Sequence, residues 1–337
     1  MRYLRLVTFL VLAAHLTSAC NKGGSSPSAE VRIPRGAGGV GFLPLLVMDK
    51  RNLIQKHAAA LGIPDLKPTW IDLGGPDTLN GALLSGAIDF AAAGPPAFLI
   101  LWDATGDKQK VMGVAAMTSL PMYLNTTDDR LKTLEDFKDN NKIAVTAIEV
   151  SIPAIAMQMY AAEKYGMPQA KRFDGLTRQM THGDGWQALL GGSLSAHFTS
   201  PPFHQRERKD PRVHTIMTTD DIMKGSTTFT MLYTTTAFHE NNPIVVKVVL
   251  AALEEANALI RDDIKTVAEM VRGSTTEIGF TAEELLEVVR DPAVKFTTTP
   301  ENIMKYADFM HQRKTIKKKP VNWKELFFPE IHEAPGS

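Results

Sequence analysis

One stretch of this sequence occurs twice, and that repetition constrains the fold more than any other feature. Residues 81–96 read GALLSGAIDFAAAGPP and residues 187–202 read QALLGGSLSAHFTSPP. Aligned without gaps, the copies share Ala82/Ala188, Leu83/Leu189, Leu84/Leu190, Gly86/Gly192, Pro95/Pro201 and Pro96/Pro202. Each reads as a helix end, a glycine stop, a short apolar strand and a loop broken by Pro-Pro. Glycine just past a helix accepts the left-handed backbone that ends it, and paired prolines cannot continue a central strand. Two copies offset by 106 residues (187 minus 81) predict two similar α/β lobes. Each lobe then points a small-residue loop at the carboxyl end of its sheet, where α/β folds hold ligands.

A second pair of segments supports the same division. Val31-Arg32-Ile33 reads as a strand, followed by Gly36-Ala37-Gly38-Gly39-Val40-Gly41 and a helix from Phe42 to near Gly62. Lys142–Val145 reads as a strand, Thr146–Ile152 as a loop and Pro153–Tyr165 as a helix. The two helices end alike, in Leu61-Gly62-Ile63-Pro64 and Tyr165-Gly166-Met167-Pro168. The first glycine run fits G-x-G-x-x-G, but the acidic residue a dinucleotide site needs about 20 residues on is absent, and Asp72 comes too late. The same glycines serve a loop that lets any small ligand approach the backbone.

A chain of 337 residues exceeds what one core usually organises. Its 37 basic and 37 acidic residues balance, whereas a nucleic-acid partner requires a clustered Lys/Arg surface. The short run Lys317-Lys318-Lys319 reads as a solvated face, so no nucleic acid is expected. At the N-terminus, Arg2 and Arg5 precede an apolar segment, Leu6–Ala14, that is too short to span a bilayer. Small residues Thr17-Ser18-Ala19 then lead to Cys20. Leu-Thr-Ser-Ala-Cys resembles a bacterial lipobox with its leucine one residue early, and ordinary cleavage after Ala19 is the alternative. Cys20 is the chain's one cysteine, and a lone thiol in an oxidising compartment has no internal partner, which favours acylation. Residues 1–19 therefore read as a signal peptide, and 20–30 as a lipid-anchored tether rich in Gly and Ser.

Val111–Met117 with the segment to Leu124, and Thr227–Tyr233, read as extended passages between the lobes. Lobe one is then discontinuous, 31–118 and 231–330, with lobe two, 119–230, inserted in it. The rest reads as helical. Asn242 caps and Pro243 opens a long helix whose apolar face carries Val245, Val248, Val249, Ala252, Leu253, Ala256, Leu259 and Ile260. Thr281-Ala282-Glu283-Glu284 is a capping box, a last helix covers Ile303–His311, and Pro335-Gly336-Ser337 reads as frayed.

Taken in this order, the Cys20 signal, ALLSGAIDFAAAGPPAF, ALLGGSLSAHFTSPPF, Phe238-His239-Glu240-Asn241-Asn242-Pro243 and the closing NIMKYADFMHQRKTIKKKPVNWKELF resemble an ABC-importer solute-binding protein. The group is the nitrate/sulfonate/taurine (NitT/TauT) one, which shares its fold with thiamine-pyrimidine-precursor binders. The resemblance implies a type II periplasmic-binding-protein fold: two α/β lobes, a cleft between them, and closure on a small polar solute. It implies ligand contacts from Gly41 and Phe42, Ala93 and Gly94, and Glu149, Val150 and Ser151. It adds His197, Thr199 and Ser200, and the passages between lobes add Ser119 and Phe229. Ser151 precedes a helix whose free N–H groups favour an anion, but it is equally placed to be only an N-cap. Glu149 suits an amine instead. The implied partners are a small-molecule solute, an ABC permease in the inner membrane and the membrane itself through Cys20, with the chain a monomer in the periplasm or at the cell surface.

Enzymes share this fold, but the chain has no HExxH, no GxSxG and no cysteine in the mature body. His182, His197, His204 and His214 lack tight metal-ligand spacing, so neither metal nor cofactor is expected. A ligand-sensing module for a membrane receptor is the third class compatible with such a trap.

Overall fold

The computed structural model describes residues 30–36, 39–73, 75–106, 109–272 and 280–337, so the signal segment, Cys20 and most of the tether lie outside the described residues. Its strands are β1 Glu30–Pro34, β2 Lys67–Ile71, β3 Ala91–Ala93, β4 Val111–Ser119, β5 Tyr123–Thr126, β6 Ile143–Val145, β7 Thr177–Gln179, β8 Ala196–Thr199, β9 His214–Thr218, β10 Thr228–Thr235 and β11 Lys295–Phe296. One sheet has the order β11-β4-β10-β3, and β1 and β2 form a parallel pair beside it. The pair is tied on by Asp89 and Phe90, whose N–H groups donate to the Arg32 carbonyl at 2.9 and 3.3 Å. The other sheet has the order β7-β6-β8-β5-β9.

The chain passes between these sheets twice, from β4 to β5 through residues 120–122, and from β9 back to β10 through residues 219–227. β4 and β10 pair antiparallel from Thr228↔Ser119 to Thr235↔Val111. Ser119 and Thr228–Thr230 therefore lie in the first sheet, whereas the sequence reading assigned 119–230 to the second lobe. Strand length is set by how far the partner continues to supply hydrogen bonds, a non-local fact.

The glycine stops are where local sequence locates them: Gly62, Gly86, Gly166 and Gly192 have φ of 82, 72, 85 and 75°. The two Pro-Pro pairs differ, however. Pro95-Pro96 is no loop but opens the helix Pro95–Ala104, where proline's missing N–H is no loss, while Pro201-Pro202 makes a turn before the short helix Phe203–Arg208. The single helix expected after Gly41 is two, Leu43–Lys50 and Leu53–Ala60, broken at Asn52 in the left-handed conformation that Asn tolerates. Asn242 makes no side-chain cap for the helix Pro243–Asp262; its amide donates to the Phe238 carbonyl instead. That helix buries the expected valine and alanine face, with Leu259 at its margin. The C-terminus is not frayed: Ser337 N–H donates to Pro300 O, its carbonyl accepts from Ile303 N–H at 2.8 Å, and Gly336 lies against the Trp323 ring. No helix among the described residues is long and apolar enough to cross a membrane.

Candidate ligand-binding cleft

Strand direction sets which loops face one another. β6 pairs parallel with β7 and β8, so their carboxyl ends share one sheet edge. That edge carries residues 146–151, Met180–His182 and Ser200–Pro202. β5 runs antiparallel to β8 with Tyr123 opposite Thr199, so the first passage from the other lobe arrives at the same edge. In the first sheet, the end of β3 at Ala93 meets the start of β10, beside the end of β4.

The two edges meet. A Cβ added at Gly94 would lie 2.9 Å from Ile152 Cδ1 of the second lobe and 3.2 Å from the Phe229 carbonyl oxygen. Gly41 packs so closely on the Phe229 ring that a Cβ there would overlap it. The Gly41 carbonyl accepts from Thr230 Oγ1 at 2.7 Å, and Thr230 Oγ1 lies 2.7 Å from Thr118 Oγ1. Buried hydroxyls of both central strands thus fix the loop after β1. Gly41, Ala93, Gly94 and Phe229 come together, while Phe42 is half-buried at the same loop. Ser119 is fully buried in β4, opposite Thr228 and Lys295.

The middle loop is occupied differently. Ser151 Oγ donates to Ala147 O at 2.5 Å and accepts from Ala154 N–H at 3.4 Å, which is the N-cap role. Glu149 has φ 66° and an exposed carboxylate 2.8 Å from Lys171 Nζ, whose hydrogen bond holds its pKa below the usual range. Val150 is half-buried between them. Arg35, the cation nearest the first loop in sequence, is engaged by Asp49 and by Asp72 at 3.7 Å.

Around β8 lies a polar cluster that joins three of the expected contacts, His197, Thr199 and Ser200, to His182 and Glu207. His197 is 1 % exposed, and its Nδ1 is 2.6 Å from Oε1 of Glu207, itself 0 % exposed. The other carboxylate oxygen accepts from Asn125 Nδ2 at 2.7 Å. His197 Nε2 is 3.3 Å from His182 Nδ1, and His182 Nε2 is 3.3 Å from Ser200 Oγ. Thr199 Oγ1 is 3.4 Å from His182 Nδ1. His182 is half-buried, and the protein packed around it pushes its pKa down to about 3, with His197 adding to the effect. Burial, with Arg208 nearby, lowers His204 to about 4. His214 stands apart, against Leu131 O. Among the described residues no three such side chains are arranged to hold a metal ion.

Arg206 went unnoticed in the sequence, and Glu284 was read only as part of a capping box. Arg206 Nε and Nη2 donate to both Glu284 oxygens at 2.6 and 2.7 Å, linking the helix after β8 to the helix Ala282–Val289 of the other lobe. Burial opposes the Glu284 charge, but Arg206 and the Thr281 N–H of the capping box outweigh it and lower its pKa. Tyr123 OH to Asp291 (3.3 Å) and Arg313 to Gln158 are further links across the cleft. Charge-assisted bonds contribute about 1.5–3 kcal/mol each when little exposed. Arg206→Ala is therefore expected to enlarge the solute-free radius of gyration in small-angle X-ray scattering; an unchanged radius would mean that this pair does not hold the lobes together.

No family model matches the sequence, and neither does any curated protein at a significant level. Solved structures do match. The alkanesulfonate-binding protein SsuA from Xanthomonas axonopodis pv. citri, bound to MOPS, is 15 % identical with a TM-score of 0.67, over 90 % of this chain and 99 % of that one. The periplasmic nitrate-binding protein NrtA from Synechocystis PCC 6803 is 13 % identical with a TM-score of 0.64, over 88 % and 84 %. A Candida albicans gene product described as having the generic periplasmic binding protein fold is 15 % identical with a TM-score of 0.61, over 89 % and 94 %. With two sheets, two passages between them and loop-bearing edges in contact, the chain has the two-lobed α/β fold of periplasmic binding proteins.

Proposed function

We propose that the chain is the extracytoplasmic solute-binding component of an ABC importer, closing two lobes on a small polar solute or anion of the sulfonate, taurine or nitrate kind. The observation that carries this reading is the meeting of two loop-bearing sheet edges across a two-strand connection, with Gly94 against Ile152 and Arg206 on Glu284. A hinged trap needs that arrangement. The solutes named for the similar SsuA and NrtA structures support the ligand group. Handover to an inner-membrane permease, anchoring through an acylated Cys20, and action as a monomer complete the reading.

The test uses the protein from Asn21 to Ser337 and follows its melting temperature with taurine, alkanesulfonates, nitrate, aromatic sulfonates and amino-pyrimidines. A solute at a hundredfold excess over its dissociation constant stabilises by about 2.7 kcal/mol, a rise of a few degrees. A stabilising solute recovered unchanged supports the transport reading. A solute consumed on incubation would replace it with an enzyme, and silence from all of them would remove this ligand group.

A further inference from the structure

A fully buried carboxylate hydrogen-bonded to a fully buried histidine is an expensive way to hold a sheet together. Apolar residues of similar volume often serve as well or better. Glu207, His197 and His182 instead form a file that ends on Ser200, buried just past the end of β8, with Thr199 Oγ1 as a side branch at His182 Nδ1. The file is closely built. Gly185 leaves room for His197, since a Cβ there would come 2.6 Å from its Nε2, and the Phe203 ring stacks on His182 at 5.6 Å.

The proton positions in this file are mutually constrained. With Glu207 ionised, both of its oxygens accept, Oε2 from the Asn125 amide and Oε1 from His197, which then carries its proton on Nδ1. If His197 is neutral, its Nε2 accepts from His182 Nδ1–H, and His182 Nε2 then accepts from the Ser200 hydroxyl. Ser200 offers only lone pairs to the cleft. If His197 is doubly protonated, its Nε2–H donates to His182 Nδ1 and His182 Nε2–H donates to Ser200 Oγ. The Ser200 hydroxyl proton is then free to point into the cleft. The two states differ by one proton. As one proton from the cleft bonds to Ser200 Oγ, the original hydroxyl proton passes to His182 Nε2. The His182 Nδ1 proton in turn passes to His197 Nε2. No side chain need rotate.

We propose that Ser200, His182, His197 and Glu207 form a proton relay in which one added proton turns Ser200 from a hydrogen-bond acceptor into a donor, so that an oxyanion solute binds together with a proton. This rests on the solute-binding reading of the cleft. The low pKa of His182 agrees with that ring staying singly protonated, the added charge residing on His197 beside the Glu207 carboxylate. The other charged and titratable groups around the file are accounted for. His204 meets it through Asn125 at 3.2 Å, with Arg208 and Asp291 near His204. Arg206 lies over Phe203 and Trp186 but is engaged by Glu284, and Asp184 bonds the Thr181 hydroxyl. With Arg35 held by Asp49 and Asp72, a donor made by proton uptake gives an anion a partner without a dedicated cation.

The relay is tested without any solute by long-range proton–nitrogen NMR of the full chain labelled on histidine, from pH 5 to 9, with His182→Gln and His197→Gln used to assign the signals. Wherever His197 is neutral, His182 is expected to carry its proton on Nδ1; wherever His197 is doubly protonated, on Nε2. Any other pairing overturns the relay. Calorimetric titration with ethanesulfonate in buffers of different ionisation enthalpy then reads the coupling. One proton is expected to be taken up at a pH where the NMR spectra show His197 neutral, and the affinity is expected to fall about tenfold per pH unit across that range. Ser200→Ala is expected to abolish the uptake while keeping the tautomer pairing. Zero uptake in the unaltered protein at such a pH overturns the coupling. If ethanesulfonate does not bind, the solute of the panel above that stabilises the protein takes its place; if none binds, the ligand group proposed above fails, and the tautomer pairing still decides the relay.

Discussion

Glu207→Ala is expected to lower the unfolding free energy by about 3–5 kcal/mol, because it breaks a buried polar pair from one side. Glu207 is fully buried, and alanine leaves the His197 Nδ1–H and the Asn125 amide without their acceptor. Asn125 and His197 face each other directly across β5 and β8, so the loss falls in the middle of the second sheet. Glu207→Gln keeps the volume and one acceptor oxygen and is expected to lose roughly half as much. Urea unfolding followed by tryptophan fluorescence reads both, as a lowered midpoint at unchanged slope. A loss below about 1 kcal/mol in the alanine variant, typical of a solvated pair, would mean that water reaches Glu207 in solution.

Gly94→Val is expected to abolish solute capture while leaving each lobe folded. Gly94 has ordinary extended backbone, φ −76° and ψ 161°, so the residue itself is free to carry a side chain. What opposes it is packing: the added Cβ meets Ile152 Cδ1 of the other lobe at 2.9 Å, and at 3.2 Å the Phe229 carbonyl of its own lobe. Overpacking of this kind costs about 1–3 kcal/mol, and the closer contact, with Ile152, is relieved by keeping the lobes apart. The closed form then becomes the minor one, and apparent affinity falls in proportion, by about tenfold or more. Thermal shift with a solute that stabilises the unaltered protein, set beside a circular dichroism spectrum, distinguishes the outcomes. Unchanged affinity would show that solute binds without the Gly94–Ile152 contact, and lost secondary structure would place the damage in the fold.

Much of this architecture is legible in the sequence because it is written locally. The matching glycines at 86 and 192, and at 62 and 166, all adopt the left-handed backbone that their position after a helix requires. The capping box at Thr281 and Glu284 forms as its spacing dictates. Proline pairs are less transparent, since the same dipeptide opens a long helix at 95 and makes a turn at 201. The site was half legible. Gly41, Gly94 and Phe229, named through the family resemblance, lie against one another, but Glu149 is taken by Lys171 and Ser151 by its own helix. His182 was visible only as one of several histidines, and nothing in the sequence singled out Glu207.

Backbone chemistry and apolar patterning, which act over a few residues, determined by themselves the repeated unit, the helix ends marked by glycine and the two-lobed α/β class. The tertiary structure alone decided which side chains share a cluster. Asn125 meets Glu207 across 82 positions and Arg206 meets Glu284 across 78. A hydrogen bond is short and directional, so such pairs exist only once strand register and lobe closure have brought both partners within about 3 Å.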